Sequence, residues 1–226
     1  MKRIFLIRHG QSEGNKRMVG GTTEEQYKND CEIELTKVGI LQAYAISNIL
    51  YDKYGPFDEK STELWNSPFK RARQTASIIN EKLNLKKVFE DPRLAEHDYG
   101  NFDFQFMSRW KEISPHSYFV DMMRYKSRHA RFFARIEGGE SLSDVYNRIS
   151  LFDLSRVRGS SNEQIIVTHG DFILVALMYF TGQKVEFVYD FNETIPNCCC
   201  FVLERKDWSD LFEIKDKIVL KNVNMG

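Results

Sequence analysis

The stretch RIFLIRHG, residues 3 to 10, decides the fold of this chain together with QIIVTHG, residues 164 to 170. Each is a short apolar, β-branched run that ends at a His-Gly pair, which is typical of a strand buried in a parallel sheet. Ligands of open α/β sheets bind beyond the carboxyl ends of the strands. If the two strands lie close together, His9, His169 and Arg8 share one crevice, and we expect an anion there, above all a phosphate.

A single His after a strand is more often structural than functional. Two of them beside Arg8 favour a site, because these groups repel one another unless an anion joins them. The glycine after each His fits a tight strand-to-helix turn that lets a ligand approach the backbone. The loop after the first strand is of the kind that often contacts a ligand, and it carries Gly14, Asn15, Gly20, Gly21 and Thr22.

Length and composition favour one domain over residues 1–226, with an insertion at about 105–139. The chain has 226 residues, of which 42% are apolar, and its formal net charge is zero. Global charge therefore gives no argument for a nucleic-acid partner. No apolar run approaches the roughly 20 residues that span a bilayer, so we expect no membrane segment. Because a strand is predicted from Arg3, we expect no signal peptide.

The four cysteines predict reduced thiols and a cytoplasmic location. Cys31 stands alone, and Cys198, Cys199 and Cys200 are consecutive, which suits alternate faces of a strand and not a disulfide framework. No separated Cys pair of the kind that binds zinc is present.

Sequence periodicity predicts strands that alternate with helices. The predicted strands are 3–8, 62–65, 87–89, the run that ends at His169, 198–203 and 216–221. The predicted helices are 35–51, one that Ser67-Pro68 opens, 141–154 and 171–180. The apolar face of the first helix is assigned to Val38, Leu41, Ala45 and Ile49, behind an N-cap at Thr36. That of the third is assigned to Leu142, Val145, Ile149 and Phe152.

This alternation predicts an α/β fold, a three-layer α/β/α sandwich with a mostly parallel central sheet and helices on both faces. Residues 105–139 differ in character, since they are rich in aromatic, Met, Arg and His side chains. Between Arg109 and Ile136 seven basic residues stand against two acidic ones, a surplus of five. We expect a helical or irregular insertion that covers the crevice.

A series of segments carries a family resemblance: RHGQSEGN at 8–15, LTKVG with QA at 35–43, SPFKRA with QTA at 67–76, LAE with YG at 94–100, GES at 139–141 and VTHG at 167–170. In this order and spacing they resemble the signatures of the histidine phosphatase superfamily, in its phosphoglycerate mutase-like branch. The resemblance covers roughly residues 3 to 175.

The resemblance implies roles for matching positions. His9 would be the nucleophile that takes the phosphoryl group, and Glu96 would protonate the leaving oxygen and later activate water. The phosphoryl oxygens would be held by Arg8, Arg71 and His169, with Asn15 assisting. Further substrate contacts are expected at Gly21, Thr22 and Tyr99. The resemblance implies no metal and no cofactor.

Each role has an alternative. Asp98 or Asp171 could be the acid in place of Glu96, and Asp171 follows the second His by two positions. Asn15 could be a turn residue only. Arg73 is expected to face solvent.

The acid-donor segment argues for hydrolysis. Mutases of this branch carry a Leu-Gly pattern and a Lys eleven positions after the acid, whereas Met107 stands at that position here and the pattern is absent. The sequence therefore predicts a metal-independent phosphomonoester hydrolase. The alternatives are phosphoglycerate mutase-type phosphoryl transfer and a weakly catalytic phospho-ligand binding protein, which would be expected to have gaps in the catalytic set.

The basic surplus at 109–136 suggests a small-molecule phosphomonoester with additional negative charge, such as a sugar bisphosphate or an inositol polyphosphate. The alternative is a solvated basic face without substrate contact. Phosphoprotein substrates and the oligomeric state stay open.

Overall fold

The computed structural model describes residues 2–20, 30–100, 112, 115–116, 132–135, 137–158, 163–206 and 211–220. Gly21, Thr22 and most of the predicted insertion at 105–139 lie outside these residues.

Six strands form one sheet in the order β3-β2-β4-β1-β5-β6. Four run parallel: β1 (Lys2–Arg8), β2 (Glu63–Asn66), β3 (Lys87–Glu90) and β4 (Glu163–Thr168). Strand β5 (Cys200–Arg205) runs antiparallel to β1, and β6 (Glu213–Ile218) runs antiparallel to β5. In the central β1–β4 pair Arg8 lies opposite Thr168, so both His-Gly pairs leave the sheet at the same edge.

Helices cover both faces of the sheet. In chain order they are α1 (Glu13–Gly20), α2 (Lys37–Tyr54), α3 (Lys70–Leu83), α4 (Leu142–Phe152), α5 (Gly170–Thr181) and α6 (Glu186–Asp190). Side chains of β1 alternate between two cores: Phe5 and Ile7 pack with α2 and α3, and Ile4 and Leu6 pack with α4 and α5. The α/β prediction with helices on both faces is confirmed. None of the described helices is long and apolar enough to cross a bilayer.

Several local predictions hold. The predicted face of α4 is buried at all four positions, and Thr36 caps α2 by accepting a hydrogen bond from the Gly39 backbone N–H at 3.0 Å. The consecutive cysteines do alternate, since Cys199 lies in one core and Cys198 and Cys200 in the other.

The predicted apolar face of α2 is only partly correct, since Val38, Ala45 and Ile49 are half-buried and Ile49 packs against the core. The buried residues are Gly39, Ala43, Ile46, Ser47 and Leu50, whereas Leu41 is exposed. The rotation of the helix follows from a backbone contact, because a Cβ built on Gly39 would lie only 2.0 Å from the Gln11 carbonyl oxygen. Only glycine lets the two backbones approach so closely.

Some predicted boundaries are also wrong. Helix α3 begins at Lys70, with Phe69 and not Ser67 at its N-cap, because the Ser67 backbone N–H still pairs with the Val167 carbonyl. Strand β5 begins at Cys200, because Cys198 has a positive φ of 54° that interrupts extended structure. Strand β6 lies three residues earlier than predicted and is an exposed edge strand rich in charged side chains.

Candidate active site

His9 and His169 lie side by side beyond the ends of β1 and β4. Their ring centroids are 5.1 Å apart, and the His9 backbone N–H donates to the Thr168 carbonyl at 2.9 Å. Both side chains are buried, His9 at 3% exposure and His169 at 0%. The structure therefore brings together the two His residues that the repeated strand pattern singled out.

The hydrogen bonds of His9 define its tautomer. Its Nδ1 lies 2.7 Å from the Gly10 carbonyl oxygen, which can only accept, so Nδ1 carries the proton. Its Nε2 lies 3.3 Å from Nε of Arg71, which can only donate, so Nε2 holds the lone pair. Burial, then Arg71 and Arg8, lower the His9 pKa well below its ordinary value. This arrangement favours the neutral imidazole and places the Nε2 lone pair beside the Arg71 cation.

His169 is held from two sides. Its Nε2 lies 2.8 Å from the Ser67 hydroxyl oxygen, and the Phe69 ring packs against it at a centroid distance of 5.0 Å. Burial, and then the electrostatic effects of His9, Arg71 and Arg8, lower its pKa well below the ordinary value. Its Nδ1 is buried without a hydrogen-bond partner in the described part of the chain, so it is available to a ligand.

Two arginines supply the positive charge. Arg8 ends β1 and donates from one terminal nitrogen to the Ile195 carbonyl, and its buried Nε has no partner among the residues described. Arg71 lies in the first turn of α3 over the Phe69 ring, at 4.8 Å from the ring centroid. Its terminal nitrogens bind the carboxylate of Asp30 at 3.1 Å, and one also binds the Asp30 carbonyl at 2.8 Å.

Glu96 lies at the amino end of α5. Its Oε1 accepts hydrogen bonds from the backbone N–H groups of His97 at 3.0 Å and Phe172 at 3.2 Å. A Cβ built on Gly170 would lie 4.0 Å from Glu96 Oε2 and 3.7 Å from Arg8 Nε. Burial, and then the charge of Asp171, raise the Glu96 pKa against the opposing effects of these hydrogen bonds and Arg8.

The alternative acids have other partners. Asp171 accepts a hydrogen bond from the Tyr99 hydroxyl, and its Oδ2 lies 3.7 Å from His97 Nδ1. Asp98 is exposed and accepts the Gly100 backbone N–H at 2.8 Å within a turn. Tyr99, expected to contact substrate, therefore directs its hydroxyl to Asp171.

Asn15 lies in a side-chain network at the start of α1. Its Oδ1 accepts from the Ser12 backbone N–H at 3.1 Å and from the Asn197 amide at 3.0 Å. Asn197 also donates to the His9 carbonyl at 3.1 Å, so this network supports the turn that carries His9. Arg73 lies at the surface and pairs with Glu32 at 3.6 Å.

Sequence reasoning missed Asn197, Ser67, Asp30, His97 and Arg148. One signal could have found Asn197: it precedes β5, and the amino end of an antiparallel strand shares an edge with the carboxyl end of β1. Within the described residues, no group of three or more His, Cys, Asp or Glu side chains is arranged to hold a metal ion.

A family model described as the histidine phosphatase superfamily (branch 1) matches residues 4–214. The chain is 32% identical to "Phosphoglycerate mutase-like protein AT74" of Arabidopsis thaliana over 82% of its own length and 59% of the relative's. It is 30% identical to "Phosphoserine phosphatase 1" of Hydrogenobacter thermophilus over 79% of this chain and 75% of that one.

Among solved structures, the α-ribazole phosphatase from Shigella flexneri resembles this chain with a TM-score of 0.70 and 21% identity. The alignment covers 94% of this chain and 95% of that one, and it shows that the two share a fold. The chain spans less than two thirds of the plant relative.

Proposed function

The chain belongs to branch 1 of the histidine phosphatase superfamily, and we propose that it hydrolyses phosphomonoesters through a phosphohistidine formed on His9. One observation carries this proposal: buried His9, with its Nδ1 hydrogen-bonded to the Gly10 carbonyl, presents its Nε2 lone pair to Arg71. Burial and Asp171 also raise the pKa of the Glu96 carboxyl group in the same crevice. Splitting one displacement into two through a covalent intermediate lowers the barrier of each.

In the first step, His9 Nε2 attacks phosphorus and the bond between phosphorus and the ester oxygen breaks. The Glu96 carboxyl group gives its proton to the departing oxygen, so the product leaves as a neutral alcohol. The hydrogen bonds to Oε1 leave Oε2 as the oxygen that donates.

In the second step, the Glu96 carboxylate takes a proton from water, and that water's oxygen attacks phosphorus. The bond between phosphorus and His9 Nε2 breaks, phosphate leaves, and both His9 and Glu96 return to their starting protonation states. Glu96 thus acts as a general acid in the first step and as a general base in the second.

Arg8 and Arg71 are the cations assigned to stabilise charge that spreads over the phosphoryl oxygens in the transition state. His169 and the Asn15 amide nitrogen are assigned as hydrogen-bond donors to the same oxygens. A guanidinium suits this task because its forked N–H groups match the geometry of phosphate oxygens.

Substrate class and setting are also proposals. A multiply charged small phosphomonoester fits the basic surplus at 109–136, and charge reversal there should raise KM for multiply charged esters more than for singly charged ones. Equal increases in KM for both ester classes would contradict this substrate class.

One domain over 1–226 is supported by the first and last described strands, which share a sheet. Cytoplasmic location and independence from metals stay predictions.

The experiment measures inorganic phosphate release from a panel of phosphomonoesters with chelator present, for wild type and His9→Ala. We expect release by wild type, none by the variant, and an alkali-stable, acid-labile phosphoenzyme in wild type only. The panel includes 3-phosphoglycerate with a readout of 2-phosphoglycerate. Isomerisation without release would indicate a mutase, and neither activity would indicate a binding protein. Release that His9→Ala retains would overturn the proposed nucleophile.

A further inference from the structure

The side chain of Arg148, on α4, donates hydrogen bonds to the segment that carries Glu96 and to the Glu140 carboxylate. One terminal nitrogen donates to the carbonyls of Arg93 at 2.6 Å and Ala95 at 2.8 Å. The other donates to the Glu96 carbonyl at 3.1 Å and to the Glu140 carboxylate at 3.1 Å, and Nε donates to the same carboxylate at 3.0 Å. A guanidinium has five N–H groups, so none is left for a substrate.

Arg148 also contacts the residue that holds the acid's own oxygen. Its guanidinium carbon lies 5.4 Å from the centre of the Phe172 ring, and the Phe172 backbone N–H donates to Glu96 Oε1. The backbone of Glu96 and the residue that anchors its carboxyl group therefore share one contact partner.

Glu140 holds the segment from the other side of Glu96. Its carbonyl oxygen lies 2.9 Å from His97 Nε2, and its carboxylate accepts the Asp98 backbone N–H at 3.2 Å. The ion pair of Arg148 and Glu140 thus spans both flanks of the acid, with Arg148 only 14% exposed.

The segment itself has little regular structure to fix it. Pro92–Leu94 form one 3-10 turn, and the chain from Ala95 to Tyr99 is irregular. A general acid must reach the leaving oxygen within hydrogen-bond distance, and a displacement of about 1 Å can cost about 100-fold in rate. Residues outside the segment must therefore fix the position of the Glu96 carboxyl group.

We propose that Arg148, paired with Glu140, is a positioning residue that fixes the Glu96 carboxyl group for proton donation to the leaving group. This inference rests on the proposed function. Lysine could not replace it, since a single ammonium group cannot reach three carbonyls and a carboxylate in one plane.

The test is Arg148→Lys, with kcat/KM measured for alkyl phosphates and for p-nitrophenyl phosphate. Alkyl leaving groups need a proton to depart, whereas p-nitrophenolate does not, and kcat/KM reports the steps up to that departure. We expect a fall of about 10- to 100-fold for the alkyl esters and a change of less than about threefold for p-nitrophenyl phosphate.

Arg93→Lys is the matched control. Arg93 ties the same segment to the Leu151 carbonyl at 3.0 Å, and its other side-chain hydrogen bonds go to Ser155 and to Asp91, not to Glu96 or Glu140. We expect this variant to keep the leaving-group dependence of wild type.

Equal losses for both ester classes, or no loss, would overturn the positioning role. Thermal unfolding checks that each variant is folded. Should Arg148→Lys not fold, Glu140→Gln provides the same test, because it weakens two of the five bonds and should lower alkyl ester turnover selectively; an unselective effect would count against the proposal. Failure of the proposed function differs, since wild type would then release no phosphate or His9→Ala would remain active.

Discussion

The guanidinium of Arg71 has most of its N–H groups engaged within the protein. Nε donates to His9, and the terminal nitrogens bind Asp30. A phosphoryl group that binds Arg71 must therefore share these N–H groups with Asp30 or displace it. The Asp30 carboxylate thereby orients the guanidinium so that Nε points at His9 Nε2. Orientation of this kind costs no reorganisation during the reaction, which is why fixed cations are effective.

Arg71→Ala should lower kcat/KM by about 100-fold or more, because it removes a fixed cation from the developing charge. Arg73→Ala is the matched control, since Arg73 lies two positions along the same helix with its side chain 44% exposed, against 8% for Arg71. Steady-state hydrolysis of p-nitrophenyl phosphate measures both. Similar losses in the two variants would exclude a specific role for Arg71.

Asp171 contributes to the raised pKa of Glu96. Burial is the largest cause, the Asp171 carboxylate adds to it, and Arg8 and the two backbone hydrogen bonds oppose both. His97 faces Asp171, and its own pKa is raised by this carboxylate and Glu140 against the effect of burial. A carboxyl group with a raised pKa keeps its proton to higher pH, so the alkaline limb of the pH profile reports it.

Asp171→Asn should move the alkaline limb of kcat/KM for an alkyl phosphate to lower pH. The variant removes the negative charge that helps to hold the proton on Glu96, so the acid form is lost earlier as pH rises. Profiles of kcat/KM against pH for wild type and variant measure the shift. If Asp171 were itself the acid, the variant would instead lose activity towards alkyl esters at every pH.

At the scale of the element, the sequence pattern predicted those features that depend on the residues of a single helix or strand. The face of α4 follows from its own apolar spacing, and the two His-Gly strands follow from their own β-branched runs. Helix α2 carries apolar side chains on more than one side, including exposed Ile40, so spacing could not select its buried face. The Gly39 contact with Gln11, 28 positions away, made that selection.

Gly39→Ala tests that contact. Within a helix, replacing glycine with alanine ordinarily stabilises by about 0.5–1 kcal/mol. Here the added Cβ would meet the Gln11 carbonyl, so we expect the free energy of unfolding to fall by about 1–3 kcal/mol, as for overpacked cores. Urea denaturation measures it, with exposed Ile40→Ala as the control on the same helix. A stabilised Gly39→Ala protein would contradict the close approach.

At the scale of the whole molecule, the predicted site residues His9, His169, Arg71 and Glu96 belong to segments with their own signatures. Two of the supporting residues, Arg148 and Asn197, lie outside all of these segments. Arg148 contacts Glu96 across 52 positions of the chain and Asn197 contacts His9 across 188, so only the assembled fold relates them. Sequence motifs therefore indicate candidate site residues, whereas the residues that position them become visible only in the folded structure.

The consecutive cysteines connect both cores, and their ionisation should make stability depend on pH. Burial raises the Cys199 pKa from 9.0 to about 11, and it also raises the pKa values of Cys198 and Cys200. Between the unfolded and folded pKa values, the unfolded thiol loses its proton and the folded thiol does not. The free energy of unfolding therefore falls as pH rises above about 9, by about 1.4 kcal/mol per pH unit for each thiol.

Lys2 has the opposite effect, because burial lowers its pKa from 10.5 to about 8 and stability gained from it rises with pH over that interval. Three thiols outweigh one amine above about pH 9, so we expect the free energy of unfolding to fall between about pH 9 and pH 10.5. Urea denaturation with reductant present measures it. Cys199→Ala should give a shallower decline and Lys2→Met a steeper one. A Cys199→Ala protein that declines as steeply as wild type would show that ionisation of this thiol is not what limits alkaline stability.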